Sequence, residues 1–414
     1  MLFDTNVVII GAGPGGTTTS HFLSKYKIPH IILDKAEFPR DKICGDGLSG
    51  KVVGVLQDLN PDWIKEMQQD RRHFLDSWGV RFVAPNGRAV DLPFRINQEK
   101  PKRAPGFIAK RYYFDHFLFS RLHKGFASVL TGLELTDATP SPDGIILKLA
   151  KDGQIFEAKA KIAVAADGDH SIIAKKIAGK HLQPKAYYAG VRAYYENVKD
   201  LHPQNFIELH FLKDLLPGYL WIFPLPNNQA NVGLGILSSE IKRRRLHIKN
   251  ILEEIVEFNP AIRDRFRFAK KIGSVKGWGL PLAKEKRSLS GDHFLLVGDA
   301  GSLVDPFTGE GIGNAMVSGQ IAADIIRRAL EAQDFSANFL MQYDSAVYDA
   351  LWSELSLSQT LHRLVRHRWL FNFVVNRIHS NKRLQQTFST MFNNLDNRAM
   401  LRSPLFYLRM LLNI

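Results

Sequence analysis

The sequence predicts a mixed α/β fold: a parallel nucleotide-binding sheet, an inserted β-sheet domain and a helical C-terminal region. Three observations predict it. Val7 to Gly16 reads VVIIGAGPGG, a β-branched run entering a glycine-rich turn. Gly298 to Ala315 reads GDAGSLVDPFTGEGIGNA, again glycine-rich and again behind a short apolar run. Between them, Ala186 to Leu237 is rich in alternating and aromatic runs.

Val7 to Ile10 has the uninterrupted apolar character of a strand buried on both faces. A helix is expected from the turn to Lys25, then a second strand, His30 to Leu33, ending at Asp34. Together these form a βαβ unit. Trp78 to Ala104 reads as sheet, and Tyr112 to Lys124 as helix. Gly144 to Ala150 and Gln154 to Ala160 flank Asp152-Gly153, the pattern of a hairpin. Ile162 to Ala166 reads as a further buried strand. Strands are expected at Phe206 to Phe211, Tyr219 to Phe223 and Ala230 to Gly235, and a helix at Lys249 to Phe258. Phe294 to Val297 is a short buried strand, and from Ile312 the chain reads as helix almost to its end.

The 414 residues, 45% of them hydrophobic, allow two or three domains with sizeable cores. The formal net charge is +14, which favours anionic partners. The charge is uneven: Leu361 to Ile414 holds nine Lys/Arg against Asp396 alone. Charge by itself would admit nucleic acid, but no recognition motif accompanies it. A lone cysteine, Cys44, excludes an intramolecular disulfide and a cysteine-based metal site, and no metal is expected. No apolar run approaches the roughly 18–20 residues that span a bilayer, and the first residues do not read as a signal peptide. The expectation is a cytoplasmic protein.

In the first turn, Gly11 permits the sharp bend after the strand. Gly13 lets backbone approach a pyrophosphate, and Gly16 lets helix and strand pack closely. The helix that follows Pro14 offers the free N–H groups of its first turn, from Gly15 on, to the phosphates. Asp34, 23 residues after Gly11, suits a carboxylate that accepts ribose hydroxyls. This turn alone serves NAD or FAD equally. Downstream, Asp299 directly follows a strand and suits a ribityl hydroxyl. Pro306, Gly309, Gly311 and Gly313 then precede a long helix, whose N-terminus can stabilise negative charge on a reduced flavin ring.

GAGPGG, Asp167-Gly168 and Gly298-Asp299 together resemble the three signatures of the para-hydroxybenzoate hydroxylase-like FAD superfamily. FPRDKICGDGLSG (Phe38 to Gly50), PGYLWIFP (Pro217 to Pro224) and GDAGSLVDPFTGEGI (Gly298 to Ile312) look more narrowly like the geranylgeranyl reductase family. The resemblance covers Asn6 to Leu330. It implies a Rossmann-like FAD-binding domain of the para-hydroxybenzoate hydroxylase/glutathione reductase type, drawn from residues 1–75, 105–180 and 275–335. Residues 76–104 and 181–274 would form the substrate domain, and 336–414 a helical basic region.

Carried over by position, the resemblance implies an FAD site. Gly11, Gly13, Pro14, Gly15 and Gly16 would take the phosphates. Asp34, where the family more often has Glu, would hold the ribose beside Lys35. Cys44, Gly45 and Gly47 would lie beside the flavin. Arg111, Asp167, Gly168 and Asp299 would reach the phosphates and ribityl chain, and Pro306, Gly309, Gly311 and Ile312 the ring. Tyr219, Trp221 and Phe223 match the family's YxWxFP and alternate along a strand, so they share one face. Cys44, Tyr219 and Trp221 are the expected substrate-side residues. Cys44, Tyr219 or a water would supply the proton.

The implied activity is reduction of carbon–carbon double bonds in a lipophilic polyprenyl substrate, with NAD(P)H as a transient electron donor. The sequence has no second complete dinucleotide fingerprint. Two alternatives stand beside it. One is a flavin monooxygenase or halogenase of the same superfamily. The other is a non-catalytic flavin-binding membrane adaptor. His362 to His379, with Arg363, Arg366, Arg368 and Arg377 among Trp369, Phe371 and Phe373, suits peripheral contact with an anionic membrane.

Overall fold

Val7, Val8 and Ile9 have no exposed surface and Ile10 almost none, as the central strand of a parallel sheet requires. The computed structural model describes residues 3–94, 103–179 and 184–393. Strand Asp4–Ile10 pairs in parallel with His30–Asp34 on one side and with the end of Gln154–Ala165 on the other. Ala127–Thr131 and Phe294–Leu296 complete five parallel strands. Helices Pro14–Lys25 and Ile312–Ala332 pack on one face of this sheet, and their contact seals the largest core.

Gln154–Ala165 is one strand of twelve residues, where the sequence suggested two. Its first half pairs antiparallel with Gly144–Lys151 across the Asp152-Gly153 turn. Its second half pairs in parallel with Asp4–Ile10. The change of partner, not a break in the chain, produced the change of pattern.

The second sheet has seven strands, in the order Lys270–Pro281, Tyr187–Glu196, Gln229–Leu237, Tyr219–Leu225, Ile207–His210, Gly79–Val83 and Ala89–Pro93. All neighbours are antiparallel except Ile207–His210 with Gly79–Val83. The expected domain boundary at 275 falls inside Lys270–Pro281, whose whole length belongs to this sheet; we place the boundary after Pro281. A small third sheet, Gly47–Leu48, Gly106–Ile108 and Leu75–Ser77, bridges the two.

The expected helix at Tyr112 to Lys124 is shorter, Arg111–Phe119. The helical C-terminal region divides into Ile312–Ala332, Ala337–Val365, Arg368–Ser380 and Lys382–Asn393. The first ends at Gln333 in the left-handed conformation, and Ser336 caps the second by accepting from the Phe339 N–H. The expected sheet at 95–102, and the basic region beyond 393, lie outside the described residues. No described helix is long and apolar enough to cross a membrane.

Candidate functional site

A cavity of 1240 Å³ runs between the two large sheets. That exceeds the roughly 300–1,000 Å³ of a pocket for one drug-sized ligand, so it has room for a dinucleotide and a second molecule.

At one end is the first glycine turn. Gly11 has φ +97°, and a Cβ there would lie 2.5 Å from the Ala166 carbonyl oxygen. At Gly16 a Cβ would lie 1.8 Å from the Gly11 oxygen. Gly13 differs: a Cβ would meet only the Arg40 guanidinium, 3.7 Å away. That backbone therefore faces open cavity beside a cation. Helix Pro14–Lys25 starts there with no side-chain cap and no acid in its first turn, which leaves its positive end toward the cavity. Asp34 accepts from the Ala12 N–H at 2.8 Å and the Ala36 N–H at 2.8 Å. Its carboxylate is thereby fixed at the strand end. Lys35 pairs with Glu134 at the rim. Arg40 bonds Asp115 at 2.8 Å, and Asp115 also takes both prongs of Arg111, at 2.5 and 2.8 Å. Arg111 is thus held rigidly although buried.

In the middle, the loop Cys44 to Gly47 meets the aromatic strand. Phe223 touches Gly45 and Gly47, whose added Cβ atoms would lie 3.2 and 3.3 Å from its ring. Trp221 donates its indole N–H to Asn231 Oδ1 at 2.8 Å. Asn231 Nδ2 donates to the Cys44 carbonyl at 2.7 Å and to Asp46 Oδ2 at 2.8 Å. Tyr194 donates to the same Asp46 oxygen at 2.8 Å, and the Arg111 N–H reaches the other at 3.3 Å. Asp46 is wholly buried, and burial pushes its carboxyl up to about 6, with Asn231 and Tyr194 opposing. Burial likewise raises the half-buried Cys44 thiol, while Arg111 beside it pulls the other way.

At the far end, Tyr219 donates to the Thr308 carbonyl at 2.5 Å, and burial raises its phenol well above the usual range. A Cβ on Gly311 would lie 3.3 Å from Asp299 Oδ1, so the two late motifs adjoin. Helix Ile312–Ala332 begins after Gly311, again with no side-chain cap and no acid in its first turn. Asp167 accepts from the Ile172 N–H at 3.4 Å, and Gly168 has φ +85°.

The structure gathers nearly all the sequence-expected positions into one wall, including Pro14, Gly15, Cys44, Gly45, Asp167, Gly168, Gly309, Gly311, Ile312, Tyr219 and Trp221. Gly16 and Pro306 are not in that wall: Gly16 packs beneath the turn, and Pro306 is buried in its loop. Sequence reasoning missed Arg40, Asp46, Asn231 and Lys42. Lys42 lies 3.1 Å from the Trp278 ring centre; burial lowers its ammonium to about 8, with Asp299 opposing. It also missed Lys51, which bonds Glu354 at 2.9 Å and Glu310 at 3.2 Å. Burial alone would lower Lys51, but those carboxylates more than offset it and hold it charged. The FPRDK run was the available signal for Arg40 and Lys42. Asn231 had none, because its partners lie far away in sequence. Among the described residues no cluster of His, Cys, Asp and Glu has a metal-binding arrangement.

The arrangement fits FAD on its own features: an exposed glycine backbone beside Arg40, two uncapped helix starts and an elongated cavity between them. A model of the FAD binding domain family matches residues 4–334. A digeranylgeranylglycerophospholipid reductase of Thermoplasma volcanium is 30% identical, over 83% of this chain and 83% of that protein. A digeranylgeranylglycerophospholipid reductase 1 of Methanothermobacter thermautotrophicus is 31% identical, over 86% of this chain and 85% of its own. Among solved structures, a geranylgeranyl bacteriochlorophyll reductase-like protein of Thermoplasma acidophilum superposes with a TM-score of 0.80 at 24% identity, covering 92% of each chain. A flavin-dependent brominase superposes at 0.77 with 20% identity, covering 96% of this chain and 97% of its own. These structural likenesses show the fold.

Proposed function

The chain belongs to the FAD binding domain family and, within it, to the geranylgeranyl reductases, and from that premise we propose that it saturates carbon–carbon double bonds of a polyprenyl lipid. The observation that carries the reading is the aromatic strand packed on the Cys44 loop, beside an apolar stretch of cavity wall made by Val80, Phe82, Ile207 and Leu209. An unactivated alkene needs such a dry slot.

FAD, when bound and reduced, would supply the hydride that an alkene carbon receives. Arg40 and the amides of Gly13 and Gly15 would hold its pyrophosphate, and Asp34 its ribose. Asp299 and Arg111 would hold the ribityl side, and the amides of Gly311 and Ile312 would face the ring. Trp221 and Phe223, packed on Gly45 and Gly47, present an apolar wall to the substrate chain and exclude water. Cys44 holds the proton for the second carbon: its thiol stays protonated through burial, and the Arg111 guanidinium beside it stabilises the thiolate left behind. Tyr219 is the poorer donor, since its hydrogen is committed to the Thr308 carbonyl. A nicotinamide dinucleotide is the proposed transient electron donor.

We also assign membrane contact to the corner between helices Ala337–Val365 and Arg368–Ser380. Arg363, Arg366, His367 and Arg368 are all exposed there, and Trp369 is 71% exposed. Cations around a lone exposed indole suit an anionic lipid surface.

The test is anaerobic. The FAD-loaded protein is reduced, mixed with a geranylgeranyl lipid, and followed by absorbance and mass spectrometry. Flavin reoxidation with a gain of two hydrogens per double bond supports the reading. No reoxidation under nitrogen, together with an oxygenated or halogenated product in air, overturns it.

A further inference from the structure

A second chamber, 100 Å³ in volume, lies behind the flavin-side cavity. It forms where helices Ala337–Val365 and Arg368–Ser380 cover the strands Gly79–Val83 and Ala89–Pro93. Its deep wall is hydrocarbon, with Leu92, Val365, Phe371, Val374 and Val375. Phe82, Thr308 and Glu354 line both spaces. They form the partition together with Phe307, whose ring lies 6.1 Å from Phe82 with planes 16° apart. Phe211 packs against both rings, 5.8 Å from Phe307 and 6.3 Å from Phe82.

Natural cores are packed with few voids larger than a water molecule, and an apolar void left empty weakens the fold. Water is a poor occupant, because the deep wall offers it no polar partners. The charge on the partition is already matched, since Glu354 is ion-paired with Lys51 at 2.9 Å. A dry apolar cavity of about 150 Å³ takes a molecule the size of benzene, so this chamber matches about one five-carbon unit. The wall that it shares with the main cavity, at Phe82 and Thr308, names the source of that unit.

We propose that the chamber receives the far end of the substrate's isoprenoid chain, and that the Phe82–Phe307 partition makes it the determinant of chain length. The inference rests on the polyprenyl reading above. No bond is made or broken there; the site acts by burying one more isoprene unit while the reacting double bond lies beside Cys44.

The experiment compares geranyl, farnesyl and geranylgeranyl phosphates. Binding is read from the ligand-induced shift of the melting midpoint, and turnover from kcat/KM. Val375→Phe fills the chamber and Phe371→Leu enlarges it. The filled variant loses at least tenfold more kcat/KM on the longest chain than on the shortest, and its melting shift falls in the same order. The enlarged variant shifts its preference toward a chain one isoprene unit longer. An equal loss at every length in a flavin-loaded Val375→Phe protein overturns the chamber while leaving the polyprenyl reading intact. A wild-type protein that neither binds nor reduces any of the three overturns that reading, and the chamber with it. Should Val375→Phe fail to fold, Phe371→Leu decides: an unchanged length preference rejects the proposal.

Discussion

A methyl group at Gly16 collides with the Gly11 carbonyl, whereas one at Gly13 points into the cavity. Gly16→Ala is therefore expected to lose roughly 3 kcal/mol or more of stability, or not to fold. Gly13→Ala is expected to fold with a near-normal melting midpoint and to purify without flavin absorbance. The two roles were legible in the turn itself, because its spacing fixes them. For Cys44 the sequence offered a place beside the ring and one of three candidate proton donors; the Arg111 guanidinium beside the thiol, which favours it over Tyr219, was not legible. Cys44→Ala is expected to retain FAD and lower kcat about 100-fold, with partial recovery in Cys44→Ser. Asp46, between two glycines, gave no local sign of its partners Tyr194 and Asn231. Its carboxyl rises from 3.8 unfolded to about 6 folded. The protonated form is thus favoured by folding: its stabilisation is full below pH 3.8 and lost as pH rises through 6. The melting midpoint of the wild type is expected to fall between about pH 4 and pH 6, and Asp46→Asn to flatten that slope.

The elements that were easiest to find in the sequence are those with strong periodicity: the βαβ unit, the hairpin at Asp152-Gly153 and the aromatic strand. Lys270–Pro281 escaped notice for a physical reason. It is an edge strand, mostly exposed or half-exposed, and interrupted by Gly273, Gly277 and Gly279. It therefore shows no alternation for a pattern to catch. The link between aromatic strand and flavin-side loop was equally hidden, since it runs through one side chain. Asn231→Ala leaves the Trp221 N–H, the Cys44 carbonyl and Asp46 short of a partner. It is expected to cost about 3 kcal/mol in urea unfolding and to raise hydrogen exchange in the Cys44 loop and the strand Tyr219–Leu225 together. Exchange confined to one of them would mean that they are not joined through this residue.

On the scale of the whole molecule, the family and the two-sheet plan could be read from widely spaced motifs, while the second chamber could not, because its walls come from five separate elements and the loop at Phe307 and Thr308. The charge asymmetry was visible in composition, and the structure puts part of it on one exposed corner. Reversing Arg363, Arg366 and Arg368 to Glu is expected to weaken co-sedimentation with anionic vesicles at least 100-fold, at about 1 kcal/mol per cation. Trp369→Ala should weaken it by a smaller factor, and neutral vesicles should not bind either form. The sheet order carries a last consequence, for the order of synthesis. The parallel sheet takes strands from residues 4–34, 127–165 and 294–296, so every strand of the second sheet leaves the ribosome before the fifth parallel strand does. A nascent chain halted at residue 290 holds every strand of the second sheet but none of the late segment, Gly298 to Ile312, that lines the cavity opposite the first glycine turn. The two walls of that cavity therefore meet only after the second sheet has been made, with the helices from Ala337 onward still to come.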